Sequence, residues 1–272
     1  MDAGRRRLEY LRTIGVDVWV PRAGAPVALQ AREVPADAPA AREISARQDG
    51  PLPVHATQPA VPSPPGSAGA SRKSIEPLSP ELEAQWEALR AEVLGCTKCR
   101  LHETRTQGVF GVGNRRADWL IIGEAPGAEE DRQGEPFVGR GGQLLNAMLR
   151  AIGLSRESVF IANVLKSRPP GNRDPKPDEV AACLPYLMRQ IALLRPRLIL
   201  AVGRIAAQNL LATDVALGRL RGQVHTFGEL NTPLVVTYHP AYLLRTPGDK
   251  RKAWEDLKFA RSVFRRLASQ ES

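Results

Sequence analysis

Four residues that could take part in ligand binding each follow directly on an apolar run of strand length. They are Glu124, Asn163, Gly203 and His239. Parallel strands end at a common edge of a sheet, and ligands bind beyond the carboxyl ends of such strands. One rim would therefore collect a carboxylate, an amide and an imidazole, which are groups that can orient a polar ligand and stabilise charge developing on it.

The loop after the first of these strands is longer than the two to six residues that usually join a strand to a helix. It is rich in Gly, Pro and acidic residues and carries Phe137 between Pro136 and Gly139. An aromatic face and the free N–H groups of a helix N-terminus could converge there on one flat, acceptor-rich ligand. A pyrimidine base would suit. The alternative is that the glycines turn the chain and Phe137 fills the core.

The three cysteines suggest metal chemistry. Cys96 and Cys99 have C-x-x-C spacing, and Cys183 lies far along the chain. We expect a cytoplasmic chain, because no run is long and apolar enough for a membrane span and the N-terminus lacks a signal-peptide core. Three cysteines in that compartment argue against a disulfide framework and favour metal-binding, reactive or buried thiols.

The elements that position these residues alternate along the chain. Apolar runs of strand length are Trp119 to Ile122, Val159 to Val164, Leu198 to Val202 and Leu234 to Tyr238. Helical patterns follow Pro80, Gly142, Pro177, Ile205 and Lys250. This alternation predicts an α/β fold, a three-layer α/β/α sandwich around a central, mostly parallel four-stranded sheet.

Three regions are predicted along the chain. Residues 1–20 form a short peptide with helical spacing followed by alternating valines, 21–79 form a Pro- and Ala-rich disordered linker, and 80–272 form the folded domain. The formal net charge of +9 favours an anionic partner, and most of the basic excess lies from Glu81 onward.

Five motifs in this order resemble those of the family 4 uracil-DNA glycosylases, from about Gly95 to Leu267. They are Gly123-Glu124-Ala125-Pro126-Gly127, Pro136-Phe137-Val138-Gly139-Arg140, Asn163-Val164-Leu165-Lys166, Arg168-Pro169-Pro170-Gly171-Asn172-Arg173 and His239-Pro240-Ala241-Tyr242-Leu243-Leu244-Arg245. The resemblance implies an enzyme that flips uracil out of DNA and hydrolyses its N-glycosidic bond, as the first step of base excision repair.

The resemblance also implies roles for single residues. Uracil would contact Glu124, Ala125, Pro126, Phe137, Asn163 and His239. Asn163 can match the N3–H and O4 of uracil, and Phe137 can stack on the base. His239 would stabilise the negative charge that uracil gains at the transition state. Related family 1 enzymes carry a water-positioning Asp where this chain has Ala125. The nearby candidates for that role are Glu124, Glu130 and Asp131, and of these Glu124 is placed with His239 as catalytic.

DNA contacts are expected from a further group of residues. Leu243 and Leu244 could wedge into the base stack, and Arg245, Arg168, Arg173 and Lys176 could meet phosphate. The substrate would be uracil-containing DNA, single- or double-stranded, bound by a monomer.

The family binds a 4Fe-4S cluster through four cysteines, which implies Cys96, Cys99 and Cys183 as ligands here. Ser167 stands where the family has its third cluster cysteine, and a hydroxyl is a poor substitute for a thiol. The cluster could persist with Ser167 or water at the fourth iron, form with three irons, or be absent. His102 is another conceivable ligand, for which we prefer a surface position.

Two further interpretations remain open. One is a non-catalytic or weakly catalytic protein that binds uracil-containing DNA. The other concerns residues 1–20, which resemble the N-terminal peptide of the psi subunit of the bacterial replicative clamp loader in Arg6-Arg7, Leu11, Gly15-Val16 and Trp19-Val20. That peptide would dock the enzyme on a replication complex, or pack on its own domain.

Overall fold

The computed structural model describes residues 78–270. The predictions for the peptide 1–20 and for nearly all of the linker 21–79 lie outside that range. Within the described residues, no helix is long and apolar enough to cross a membrane.

The centre of the described structure is one six-stranded sheet. Its strands are β1 (Val112–Gly113), β2 (Trp119–Gly123), β3 (Phe160–Asn163), β4 (Leu198–Val202), β5 (His225–Phe227) and β6 (Thr232–Thr237). They lie in the order β1-β3-β2-β4-β6-β5. The four central strands run parallel, as the alternating pattern predicts. The short strands β1 and β5 add an antiparallel edge on either side. Neither has enough apolar residues to stand out in the sequence.

Eight α-helices accompany the sheet between residues 78 and 270. They are α1 (Pro80–Leu94), α2 (Ala128–Gln133), α3 (Arg140–Ala151), α4 (Pro177–Leu194), α5 (Arg204–Leu210), α6 (Leu217–Leu220), α7 (Pro240–Arg245) and α8 (Lys250–Gln270). Helix α3 begins three residues earlier than its apolar pattern suggested. Gly142 therefore lies in its first turn, where a Cβ would come within 1.8 Å of the Phe137 carbonyl oxygen.

Alternate side chains of β2 point to opposite faces of the sheet, so the core consists of two clusters, one on each face. Leu120 and Ile122 pack in a cluster with residues of α1, α4, α5 and α6. Trp119 and Ile121 pack in a second cluster with residues of α3, α7 and α8. All four side chains are buried. A strand that is apolar on both faces needs a layer of helices on each side, which accounts for the three-layer sandwich.

The strand order creates a crevice at the carboxyl ends of the central strands. From β2 the chain passes to β3 on one side and then to β4 and β6 on the other. Connections that leave in opposite directions open a gap between neighbouring strands, and ligands bind there in open α/β sheets. The residues that follow β2, β3, β4 and β6 surround this gap.

Candidate active site

Gly123 forms the floor of the candidate site. It pairs in register with Asn163 of the neighbouring strand. A Cβ at residue 123 would lie 2.4 Å from Asn163 Oδ1 and 2.5 Å from Phe137 Cζ. The amide of Asn163 and the ring of Phe137 therefore converge over a position where any larger residue would displace them.

The ring of Phe137 connects the hydrophobic core to the site. It is 7% exposed and packs in the cluster that includes Ile121 and Leu145. It also faces the imidazole of His239, with ring centroids 5.5 Å apart and an interplanar angle of 30°. The core and site interpretations of Phe137 are therefore compatible.

His239 is oriented by its own helix. It is the N-cap of α7, and its Nδ1 accepts a hydrogen bond from the Ala241 backbone N–H at 3.2 Å. An Nδ1 that accepts leaves the ring proton of a neutral imidazole on Nε2. On its other side the imidazole lies against Gly203, where a Cβ would come within 2.9 Å of the His239 Cβ.

The His239 imidazole is neutral at physiological pH. Burial, and to a smaller extent the nearby Arg245 charge, lower its pKa to about 4, with Glu130 opposing both effects. A neutral ring with its proton on Nε2 is a hydrogen-bond donor that carries no charge of its own. It can therefore stabilise a developing anion without requiring a buried cation in the resting enzyme.

Asn163 is buried with an unsatisfied side-chain oxygen. The residue is 2% exposed, and within the described part of the chain its Oδ1 accepts no hydrogen bond. Its main-chain carbonyl accepts from Lys166 Nζ at 2.8 Å, so the end of β3 is held in place. A buried acceptor without a donor costs about 1–3 kcal/mol, and such groups in native proteins call for an explanation. A ligand donor is one.

The three candidate carboxylates have different roles in the structure. Glu130 accepts from the backbone N–H groups of residues 127, 138 and 139, and Asp131 accepts from those of residues 106 and 107. Both hold loops together. Glu124 has a pKa raised to about 7, chiefly by burial and then by Asp174, with Arg204 opposing. Glu124 thus combines a position on the rim with a proton affinity suited to acid–base chemistry.

The remaining predicted uracil contacts lie directly after Gly123. Pro126 is buried and Ala125 is partly buried. The Ala125 side chain packs against the small cluster of Leu101, Leu165 and Cys183. A contact between Ala125 and a base would therefore use its backbone.

The predicted DNA contacts fall into two groups. Arg245 and Lys176 are exposed, while Arg168 and Leu244 are partly exposed, with Arg168 Nε donating to Asn172 Oδ1 at 2.8 Å. The prediction for one other residue, Leu243, is not supported. Leu243 is 1% exposed and packs in the core with Leu257 and Leu145, so it is not available as a wedge.

The Arg173 side chain is already bound within the protein. Its two Nη atoms donate to the two oxygens of the buried Glu179 carboxylate at 2.8 and 2.5 Å. That carboxylate also accepts from the Lys176 backbone N–H at the start of α4. The guanidinium of Arg173 thus fixes the entrance to a helix, which is a structural role, and its contact with phosphate stays a prediction.

The three cysteines lie in one region with Ser167. Cys99 packs against the cluster containing the buried Cys183, whose Sγ accepts from the Lys166 backbone N–H at 3.5 Å. Ser167 is 3% exposed and accepts from Arg105 Nη1 at 2.7 Å. Arg105 Nη2 donates to the carbonyl oxygens of residues 94 and 96. The arrangement suits a group held by three thiolates, with a hydroxyl bound to arginine beside them.

No histidine, cysteine or carboxylate cluster of three or more is preformed as a metal site between residues 78 and 270. His102 is exposed, as we preferred, and its Nδ1 lies 2.7 Å from the Cys99 carbonyl oxygen. That contact does not require a metal.

Several residues that shape the site could not be identified from the sequence. Lys166 ends the motif that begins with Asn163, yet its side chain is fully buried and its Nζ also donates to Gln190 Oε1 at 2.7 Å. Asp256 on α8 accepts from Thr237 Oγ1 and from Arg221, directly before the Tyr238-His239 turn. Neither carries a sequence signal of burial, because Lys166 is followed by Ser167 and Arg168 and Asp256 directly follows Glu255.

Comparison with known proteins agrees with this geometry. Residues 110–258 match the family described as the Uracil DNA glycosylase superfamily. A type-4 uracil-DNA glycosylase of Archaeoglobus fulgidus is 46% identical over 173 residues, which cover 61% of this chain and 87% of the relative. One from Thermotoga maritima is 40% identical over 188 residues, covering 68% and 97%. One from Sulfurisphaera tokodaii is 40% identical over 184 residues, covering 65% and 84%.

The fold and the site define a member of the uracil-DNA glycosylase superfamily. Within that superfamily, the chain belongs to the type-4 uracil-DNA glycosylases. Membership of this family suggests an iron–sulfur cluster.

Proposed function

We propose that this protein removes uracil from DNA by hydrolysing the bond between uracil N1 and the deoxyribose C1′, leaving an abasic site as the first step of base excision repair. The observation that carries the proposal is the buried, unpartnered Oδ1 of Asn163 beside the ring of Phe137. The alternative of a non-catalytic DNA-binding protein is not favoured, because the relatives are named as glycosylases.

Recognition of the base rests on Asn163 and Phe137. The Oδ1 of Asn163 can accept from uracil N3–H while its Nδ2 donates to uracil O4. Cytosine presents an acceptor at N3 and a donor at N4, so both contacts would be mismatched. Phe137 supplies a face on which the flipped base can stack, a contact worth about 1–3 kcal/mol.

Bond cleavage depends on stabilising uracil as the leaving group. As the N1–C1′ bond breaks, its electron pair goes to uracil and positive character develops on the sugar. The Nε2–H of neutral His239 donates to uracil O2, where the negative charge accumulates, and such a donor is typically worth a factor of about 10²–10³ in rate. The stabilisation is largest at the transition state, because uracil carries little charge before the bond breaks.

Water completes the reaction by bonding to C1′. The carboxylate of Glu124 stands on the rim with a pKa near 7 and can accept the proton that this water loses. Uracil leaves as an anion that takes up a proton from solvent. Glu124 returns its proton to solvent, so the net reaction adds one water across the N1–C1′ bond.

Binding to DNA rests on exposed groups around the rim. Lys176, Arg168 and Arg245 supply positive charge for phosphates, and Leu244 can fill the gap left by the flipped base. Filling that gap offsets part of the cost of unstacking, which is a few kcal/mol.

We further propose that Cys96, Cys99 and Cys183 hold an iron–sulfur cluster. When bound, the cluster would serve as a structural tie between the segment after α1 and helix α4. Three thiols suit this role. The fourth position is Ser167, whose hydroxyl is bound by Arg105 and supplies no thiolate. The steps of uracil release do not pass through the cluster.

For residues 1–20, which lie outside the described range, we keep the proposal that they dock the enzyme on a replication complex. Its support is the sequence resemblance. A pull-down with these residues fused to an inert carrier tests it, and failure to retain any replication protein would remove it.

Single-turnover release of uracil tests the main proposal. Protein purified anaerobically is mixed with an oligonucleotide carrying one uracil, as a single strand and paired with guanine, and the same oligonucleotide with thymine serves as control. We expect abasic sites from the uracil substrates alone. Tight uracil-dependent binding without release would favour the alternative of a binding protein.

A further inference from the structure

Phe137 adopts a backbone conformation that aromatic residues seldom take. Its φ is 55°, in the left-handed region. A bulky residue there is strained, and such strain persists where the surrounding structure enforces it. The chain on both sides of Phe137 is fixed by hydrogen bonds from two oppositely charged side chains, Glu130 and Arg156.

The carboxylate of Glu130 holds the N–H groups. Its Oε1 accepts from Val138 N at 2.9 Å and from Gly139 N at 3.0 Å, and its Oε2 accepts from Gly127 N at 3.1 Å. One side chain thus joins the turn that follows β2 to the segment that follows Phe137. It also occupies N–H groups at the N-terminus of α3, where Gly139 is the N-cap.

The guanidinium of Arg156 holds the carbonyl groups. Its Nη2 donates to Pro136 O at 2.5 Å and its Nη1 to Phe137 O at 3.2 Å. Gly142 also packs against this segment, because the Phe137 carbonyl occupies the space that a Cβ at residue 142 would need. The peptide units before and after Phe137 are therefore fixed through donors and acceptors alike.

We propose that Glu130 and Arg156 are positioning residues that hold the Phe137 ring over the uracil site. The inference rests on the proposed function, since it assigns Phe137 to base stacking. Hydrogen bonds of both side chains go to backbone atoms of residues 127 and 136–139. Their effect on the base would thus pass through the ring, which lies over Gly123 and faces His239.

This arrangement predicts a specific defect when either side chain is removed. A displaced ring weakens stacking on uracil, and misplacement by about 1 Å can cost a factor of about 100 in rate. For Glu130→Ala and Arg156→Met we expect inhibition by free uracil to weaken by about tenfold or more, with a similar loss of single-turnover rate. Binding of abasic product DNA should change by less than about twofold, because it does not use the ring.

Two control variants separate the effect of Glu130 and Arg156 from that of neighbouring charged residues. Glu135→Gln removes a carboxylate that lies 3.8 Å from Arg156. This carboxylate accepts no hydrogen bond from the backbone next to Phe137. Arg150→Met removes an exposed arginine on α3. Both should behave as wild type. Glu130→Gln keeps an acceptor oxygen and is the variant to use if Glu130→Ala does not fold.

A double-mutant cycle gives the sharper test. In a Phe137→Ala background, Glu130→Ala and Arg156→Met should cause no further loss of uracil inhibition, because the ring through which they act is absent. Additional loss in that background would overturn the inference, since it would mean that the charged groups act directly on the base or on His239.

Hydrogen exchange at Val138 and Gly139 separates this inference from the proposed function. Glu130→Ala should accelerate exchange of these two amides whether or not the enzyme releases uracil. Faster exchange with unchanged uracil inhibition in an active enzyme would overturn the positioning role. A wild-type protein that releases no uracil would instead contradict the proposed function. Unchanged exchange in Glu130→Ala would show, independently of uracil release, that the Glu130 carboxylate does not fix the loop around Phe137.

Discussion

The ring of Phe137 and the imidazole of His239 face each other across the carboxyl ends of the central strands, with centroids 5.5 Å apart. Phe137 reaches this position from the long loop after β2, and His239 reaches it from the turn after β6. The two rings define opposite sides of one site, and the strand between them, β4, contributes Gly203, which allows His239 to lie close.

His239→Ala should lower the single-turnover rate of uracil release by a factor of about 100 to 1,000, because in the proposed mechanism it removes the donor to the leaving group. Binding of uracil-containing DNA should change much less, since the contact strengthens mainly at the transition state. His225→Ala is the matched control, because His225 lies on edge strand β5 and bonds the Leu220 carbonyl. A rate within a few-fold of wild type would contradict the role of His239.

Asn163→Leu should abolish discrimination for uracil while leaving the free energy of unfolding unchanged or increased. The wild-type Oδ1 is buried without a partner, which costs about 1–3 kcal/mol, and an apolar side chain removes that cost. Uracil release and chemical denaturation measured on the same sample check both parts. Asn209→Leu on α5 is the control, because it removes a satisfied amide, and stability should fall there with release unaffected.

The pH dependence of release should follow Glu124. Its pKa is raised to about 7, so the carboxylate is mostly protonated below that pH and the rate should rise through pH 7 before levelling off. His239, with a pKa of about 4, stays neutral above pH 5 and should add no step there. Glu124→Gln should give a lower and flat profile in rate measurements from pH 5 to 9.

Stability should show the opposite trend. The native state retains a proton on Glu124 between the ordinary pKa of 4.5 and about 7, so this group's contribution to stability falls as pH rises through that window. Glu124→Gln should remove this decline. Glu129→Gln, at an exposed position on α2, should leave both profiles as in wild type, and a rise in rate that survives Glu124→Gln would assign the step to another group.

Ser167→Cys should increase the iron and sulfide bound per chain after anaerobic purification, and should slow the loss of visible absorption in air. A thiolate is a far better iron ligand than a hydroxyl, and the wild-type hydroxyl is bound by Arg105. Ser269→Cys, at an exposed position on α8, controls for the extra thiol. Equal iron content and equal decay in wild type would show that Ser167 is not at a ligand position.

Lys176→Ala and Arg245→Ala should each weaken DNA binding uniformly across sequences and reduce the slope of log K against log salt by about 0.7–0.9. Arg173→Ala should behave differently, because its guanidinium is bound to the buried Glu179 carboxylate. We expect it to lower the midpoint of denaturant unfolding with a smaller change in the salt slope. Salt titrations of binding and unfolding curves distinguish the two classes, and an Arg173 slope change equal to that of Lys176 would contradict the division.

The sequence predicted the central sheet and the residues at its carboxyl edge because both depend on local patterns. Four apolar runs followed by Glu124, Asn163, Gly203 and His239 place these residues on one rim wherever the strands are parallel. The edge strands escaped prediction because a strand of two or three residues has no periodicity to detect.

The roles of neighbouring charged residues could not be predicted, because they depend on which way a side chain turns. Glu124 and Glu130 are both acidic residues in one loop, yet Glu130 binds three backbone N–H groups and Glu124 lies on the rim. Leu243 and Leu244 are adjacent and alike, but the helical turn of α7 sends the first into the core. Contacts between segments distant along the chain decide these cases.

The buried Asp256 of α8 accepts hydrogen bonds from Thr237 and Arg221 directly beneath the turn that carries His239. A nascent chain leaving the ribosome therefore displays Phe137 and Asn163 well before the segment that fixes the imidazole has been synthesised. Phe137 packs in the same cluster as Leu243 and Leu257, so its ring takes its place only once α7 and α8 have been synthesised. The order of the elements thus makes the proposed removal of uracil a property of the completed chain.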